Sequence, residues 1–114
     1  MATYNHFYDL PVYKIFCDFR KKISTIARKC FPKSEEYHLK AQVLDSNRSV
    51  TANIAEGFGR FHHQENIHFC RQSRGSLDET LEHIITSYDK KYITNEILKD
   101  VNKKYKDCLK QLNS

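Results

Sequence analysis

The sequence predicts an all-α fold, an up-down-up-down antiparallel four-helix bundle, and two observations carry that prediction. Apolar residues recur at helical spacing through four stretches parted by short polar corners, and only three Gly and two Pro punctuate 114 residues, too few for the turns of an all-β chain. With 39% hydrophobic residues and a mean hydropathy of -0.70, each helix can bury one stripe, and the content exceeds that of a disordered chain. A chain this short makes one domain, 1–114.

Each element has its own signals. Residues 1–8 carry no period, and Tyr4, His6, Phe7 and Tyr8 suggest an arm that packs its rings onto the body. Asp9 is the expected N-cap of a first helix over 10–30, with Pro11 in its first turn and Val12, Ile15, Phe16, Phe19, Ile23, Ile26, Ala27 and Cys30 on one face. Pro32 stops it, and Ser34, Glu35 and Glu36 supply a cap and negative charge for a second helix over 35–59. Two stripes run along that helix, Tyr37, Ala41, Leu44, Thr51, Ala55 and Phe58 beside Leu39, Val43, Val50 and Ile54. A helix covered on more than one side is central or lies at an oligomer interface. Gly57 and Gly59 are expected to end it in the left-handed conformation, before a polar corner at His62, His63, Gln64 and Glu65. The third helix, 63–89, has Ile67, Cys70, Leu77, Leu81, Ile84, Ile85 and Tyr88 on its apolar face. Gly75 inside it costs about 1 kcal/mol against Ala, which predicts a packing notch at Gly75 and Ser76 where a neighbour comes close. After Lys90, Lys91 and Tyr92, Thr94 caps a fourth helix over 94–112, with Ile97, Leu98, Val101, Tyr105, Cys108, Leu109 and Leu112 as its stripe.

Several chemistries are disfavoured. Cys17, Cys30, Cys70 and Cys108 stand far apart without a C-x-x-C pair, so reduced, half-buried thiols are expected rather than a zinc or redox motif. No secretory core or membrane span is visible, so a cytoplasmic chain with no membrane partner is expected. Glu35 and His38, and Glu65 and His68, repeat the Glu-x-x-His spacing of di-iron bundles, but they open successive helices whose starts lie about 30 Å apart in an antiparallel hairpin. Solvated surface residues are the simpler reading. No nucleophile motif or phosphate-binding loop appears, so no enzyme, cofactor, metal or small-molecule substrate is expected. Arg48 and Asn53 of the second helix face a third that offers Asp78 and Glu79, predicting a buried polar network with an Arg48–Asp78 bond, while Glu56, nearer the turn, is expected to face the start of the third helix.

Charge is the more informative feature. Nineteen Lys and Arg against 14 Asp and Glu give +5 and a pI near 9.0. The candidate nucleic-acid contacts are Arg20, Lys21, Arg28, Lys29, Arg60, Arg71 and Arg74, with further clusters at Lys90 and Lys91 and at Lys103, Lys104 and Lys106. Glu96, Asp100 and Asp107 dilute the last cluster. Tyr or Phe of the arm offers a surface on which unpaired bases could stack.

The run from Ser49 through Asn53, Ile54, Ala55, Glu56, Gly57, Phe58 and Gly59 to Arg60, followed by Phe69 and by Gly75, Ser76, Leu77, Asp78 and Glu79, resembles a known family. It is similar to the four-helix-bundle proteins first noticed in intervening sequences of bacterial 23S rRNA genes. Leu10 to Lys14, Phe31 with Pro32, and Tyr92 with Ile93 extend the resemblance over almost the whole chain. It implies a ring-like homo-oligomer, a homopentamer, with no catalytic activity. Asn53, Glu56, Gly57, Arg60, Gly75, Ser76 and Glu79 are its signature residues, with structural roles expected first. A related branch serves diversity-generating retroelements by binding a reverse transcriptase and nucleic acid. Many relatives carry Pro at the position of Thr51 and a basic pair at Leu44 and Asp45. The expectation is an oligomeric bundle that binds RNA or a ribonucleoprotein, the alternative a protein-interaction scaffold such as an accessory subunit for a reverse transcriptase.

Overall fold

The computed structural model describes residues 4–58 and 63–112, with the backbone alone for 63–67. Four helices form: α1 (Pro11–Cys30), α2 (Leu39–Phe58), α3 (His63–Asp89) and α4 (Asn95–Leu112). Short 3-10 turns lie at Phe7–Asp9 and Lys33–Glu35, and the described residues include no strand. Among these residues the backbone of α1 runs close to those of α2 and α4 but not to that of α3, and the backbones of α2 and α4 stay apart, so α1 and α3 occupy diagonal corners of a body 46 × 25 × 20 Å.

The core takes one stripe from each helix. Phe16, Phe19 and Ile23 of α1, Val43 and Val50 of α2, Leu77 and Ile84 of α3, and Val101 and Cys108 of α4 are wholly buried. Burial of each large side chain stabilises the fold by about 1.5–3 kcal/mol. Specific bonds set the registers: Arg20 Nη1 donates to Thr51 Oγ1 at 2.9 Å and Asn47 Nδ2 to the Arg20 carbonyl at 2.9 Å, while Tyr105 Oη donates to Asp78 Oδ1 at 2.5 Å.

Helix ends differ from the expectations in instructive ways. Asp9 is not the cap of α1: it closes the 3-10 turn by donating its N–H to the His6 carbonyl at 3.0 Å. Leu10 occupies the cap position without a side-chain bond, and Pro11 opens the helix. The second helix starts at Leu39 rather than near 35, because Lys33–Glu35 winds as a 3-10 turn. Glu35, not Ser34, caps it, since its Oε1 accepts from the Leu39 N–H at 3.3 Å. Gly57 does not end α2 in the left-handed conformation; it is buried within the helix, and no described Gly has positive φ. Gly59 and Arg60 lie outside the described residues. The expected cap of α4 forms, with Thr94 Oγ1 accepting from the Ile97 N–H at 3.2 Å.

Lys91 takes the left-handed position after α3, with φ 66°. The Tyr92 N–H donates to the Ser87 carbonyl and the Lys91 N–H to the Tyr88 carbonyl, both at 2.9 Å, the paired bonds of a Schellman ending.

Two packing expectations are overturned. Gly75 is not a notch: it is exposed, and a Cβ built there would meet nothing within 4 Å. The Arg48–Asp78 network does not form either, because Arg48, Glu56, Asp78 and Glu79 are all exposed and Asp78 pairs with Tyr105 of α4. Smaller groups take the polar places. Ser46 Oγ and Thr80 Oγ1 share a hydrogen bond of 2.9 Å between α2 and α3, and Asn53 Nδ2 donates to Ser76 Oγ at 3.4 Å.

Candidate nucleic-acid interface

Helical geometry disperses cations that are adjacent in sequence, since neighbours along a helix point about 100° apart. Arg20, Lys21 and Lys22 go three ways. Arg20 is half-buried and engaged with Thr51 of α2, Lys22 reaches α4 to pair with Asp100 at 3.0 Å, and Lys21 is exposed. That pairing holds the Asp100 carboxyl below its usual range, chiefly through the Lys22 hydrogen bond. The Lys103 cluster divides likewise. Lys103 and Lys106 are exposed, while Lys104 is half-buried and lines the α1–α4 groove with Ile15 and Asp18.

The same geometry gathers cations that are remote in sequence. Lys99, Lys103, Lys106 and Lys110, at steps of four, three and four, are all exposed along one face of α4 for about 16 Å. They form no ion pair among the described residues. On neighbouring α1, Lys14, Lys21 and Arg28 are exposed at steps of seven, with Lys29 beside them.

Charge therefore divides across the bundle. Six Lys and Arg against one Asp on α1, and five against three on α4, make this adjacent pair +7; α2 is balanced, and α3 has two Arg against five carboxylates, leaving that pair at −3. Of the expected contacts, Lys21, Arg28 and Lys29 belong to the basic pair. Arg71 and Arg74 are exposed on the diagonal helix α3, and Arg60 falls outside the described residues, so the candidates do not form one patch. Sequence reading passed over Lys14, Lys99 and Lys110, whose signal was helical spacing rather than adjacency.

The arm spends part of its aromatic surface internally. Phe7 packs edge-on against Tyr13 of α1 with centroids 5.0 Å apart, and Tyr8 stacks on His6 at 4.8 Å. Nearby, where the N-terminus of α1 meets the C-termini of α2 and α4, Leu10, Val12, Ile54, Gly57, Phe58 and Leu112 help line an apolar cleft of about 330 Å³.

The former Glu-x-x-His candidate is dismantled by its first member. Glu35 is not solvated: it is 7% exposed, and its Oε2 accepts from Tyr92 Oη at 2.8 Å and Lys90 Nζ at 3.3 Å. The Tyr92 bond is the main reason its carboxyl lies below the usual range. The side chain of Glu65 is outside the described residues, and among those described no three His, Cys, Asp or Glu cluster as metal ligands would. All four thiols are free. Burial pushes Cys108 up to about 12 and raises Cys70, which leaves both largely protonated and poor nucleophiles.

Residues 8–114 match the family described as 23S rRNA-intervening sequence protein. The chain belongs to that family. A crystal structure similar to it is that of a protein of unknown function from the S23 ribosomal protein family of Bacteroides thetaiotaomicron. At 22% identity the two agree with a TM-score of 0.80, over 89% of this chain and 94% of the other, which establishes the shared fold. No curated protein matches the chain. For this member of the intervening-sequence family, no described helix is long and apolar enough to cross a membrane.

Proposed function

We propose that this family member is a non-enzymatic, oligomeric up-down-up-down bundle of the bacterial cytoplasm that binds structured RNA through its α1–α4 face. The division of charge carries the reading. A net +7 on two adjacent helices, with four exposed lysines in line on α4 that form no ion pair among the described residues, is the electrostatic footprint expected of a phosphate-binding surface. Subunits would meet elsewhere, through the outer face of α2. There Ala41 and Ala52 are exposed, Leu44 and Ala55 half-buried, and the charges of Asp45 and Arg48 cancel. A ring joined this way, five-membered by the resemblance, multiplies the basic face and raises affinity through avidity.

Fluorescence-anisotropy titration of a labelled rRNA-like hairpin across salt concentrations tests the reading. Log affinity is expected to fall linearly with log salt, and replacing Lys103 and Lys106 by Glu should reduce the slope by about 1–2. Arg71→Glu with Arg74→Glu, on the acidic pair, should change it less. Equal effects from both pairs, or no binding at physiological salt, would remove the α1–α4 face as an RNA surface. The charge-balanced outer face of α2 favours one second reading, a scaffold that recruits another protein such as a reverse transcriptase, with the basic face serving to steer.

A further inference from the structure

At the end of the bundle away from the arm, two corners are locked together. Glu35, in the corner between α1 and α2, accepts hydrogen bonds from Tyr92 and Lys90 in the corner between α3 and α4, and the Phe31 and Tyr92 rings meet with centroids 5.9 Å apart. Glu35 also caps α2 through the Leu39 N–H. The backbone between them is thus held at both sides, and from it Tyr37 stands 89% exposed, the most exposed of the large hydrophobic side chains described. Its exposure is a property of a braced corner.

The charges of this end are net positive. Arg28 and Lys29 end α1, Lys33 lies in the 3-10 turn, and Lys90 and Lys91 form the facing corner, all of them exposed. Of the carboxylates here, Glu35 is engaged by Lys90 and Glu36 by Lys40 at 2.7 Å, while Asp89 and Glu96 are exposed. A second feature points the same way. Lys91 occupies a left-handed position that Gly takes without strain, so this turn keeps a cation at a conformational cost.

Resting on the RNA reading above, we infer that this end of the bundle holds an unpaired nucleotide of the RNA, its base stacked on Tyr37 and its flanking phosphates neutralised by Lys33, Lys91 and the end of α1. A phenol ring offers a sequence-tolerant platform for a base that has left its helix, and cations on either side track the strand. The ligand class is therefore RNA with a single-stranded loop or bulge. The α1–α4 face would bind the backbone of either form, and Tyr37 would discriminate between them.

The chain has no Trp, so Tyr37→Trp places a single indole reporter at the proposed site. Titration with a looped hairpin should quench its emission, and titration with a blunt duplex of equal length should not. Tyr37→Ala should weaken hairpin binding by about 5- to 100-fold at unchanged salt slope, with duplex binding unaltered and affinity restored by Tyr37→Phe. Wild-type hairpin affinity in Tyr37→Ala, or equal quenching by hairpin and duplex, overturns the stacking site and leaves the basic face standing. A lower solution mass for Tyr37→Ala would make the residue a subunit contact and overturn the site as well. Failure of the wild-type chain to bind any RNA would overturn both readings together.

Discussion

Glu35 shows how one residue can mislead in sequence and then organise a corner in three dimensions. Beside His38 it has the spacing of a metal ligand, yet its carboxylate is committed to Tyr92, Lys90 and the first turn of α2. The hydrogen bond from Tyr92 is the first cause of its lowered pKa. A carboxyl whose pKa is lower folded than unfolded contributes stability that is complete above the unfolded value, near 4.5, and is lost as pH falls through the folded value. Glu35→Gln should therefore be less stable than the wild-type chain at pH 7, with the gap narrowing below about pH 4.5. Urea melts of both proteins at pH 7 and pH 3 check this; a gap of equal size at both pH values would mean that the carboxylate's charge is irrelevant. Neither Lys90 nor Tyr92 is visible as a partner from sequence, because they lie 55 and 57 residues from Glu35.

At the scale of the element, legibility follows the chemistry of the buried face. For α1 and α4, Phe, Ile, Val and Leu mark the inner stripe and lysines the outer one, so period and exposure agree. For α2 and α3, buried positions are filled not only by Thr51, already on an apolar stripe, but by Ser46, Asn47, Ser73, Thr80 and Ser87, which the apolar stripes leave out. These small groups can enter a core because the helix itself satisfies several of them. Thr80 Oγ1 donates to the Ser76 carbonyl and Ser87 Oγ to that of Ile84, both at 2.7 Å, which leaves Thr80 Oγ1 to accept from Ser46 Oγ. Gly75 is the opposite case, a residue that suggested close packing and found open space. Gly75→Ala should then stabilise the protein by about 1 kcal/mol, the difference in helix propensity, raising Tm by about 4 °C. A lower Tm would show that something packs against this face after all. Asn47→Ala should act the other way, costing about 1–3 kcal/mol in a urea melt, because it strips the Arg20 carbonyl and Ser24 Oγ of a donor.

For the whole molecule, the candidate interface was half-legible. Net charge raised the expectation of a phosphate-binding surface, but only the placement of α1 beside α4, with α3 diagonal to α1, says which cations lie together. That placement also constrains assembly. Two α1–α4 helix pairs, each at +7, repel, so copies brought together by an apolar contact gain most by meeting through the balanced outer face of α2 and turning their basic faces away from one another. Ala41 and Ala52 lie on that face, exposed in the single chain, and a Glu at either leaves the core of the protomer untouched. In an assembly joined through α2, Ala41→Glu with Ala52→Glu would bury carboxylates between subunits without dedicated partners. The double variant should therefore keep the helical circular dichroism of the wild type but fall to protomer mass by light scattering. Hairpin affinity should fall with it by at least tenfold, as several basic faces are no longer presented together. An assembly of unchanged mass would exclude the outer face of α2 as the joint. Lost mass with undiminished RNA affinity would instead mean that one α1–α4 face suffices.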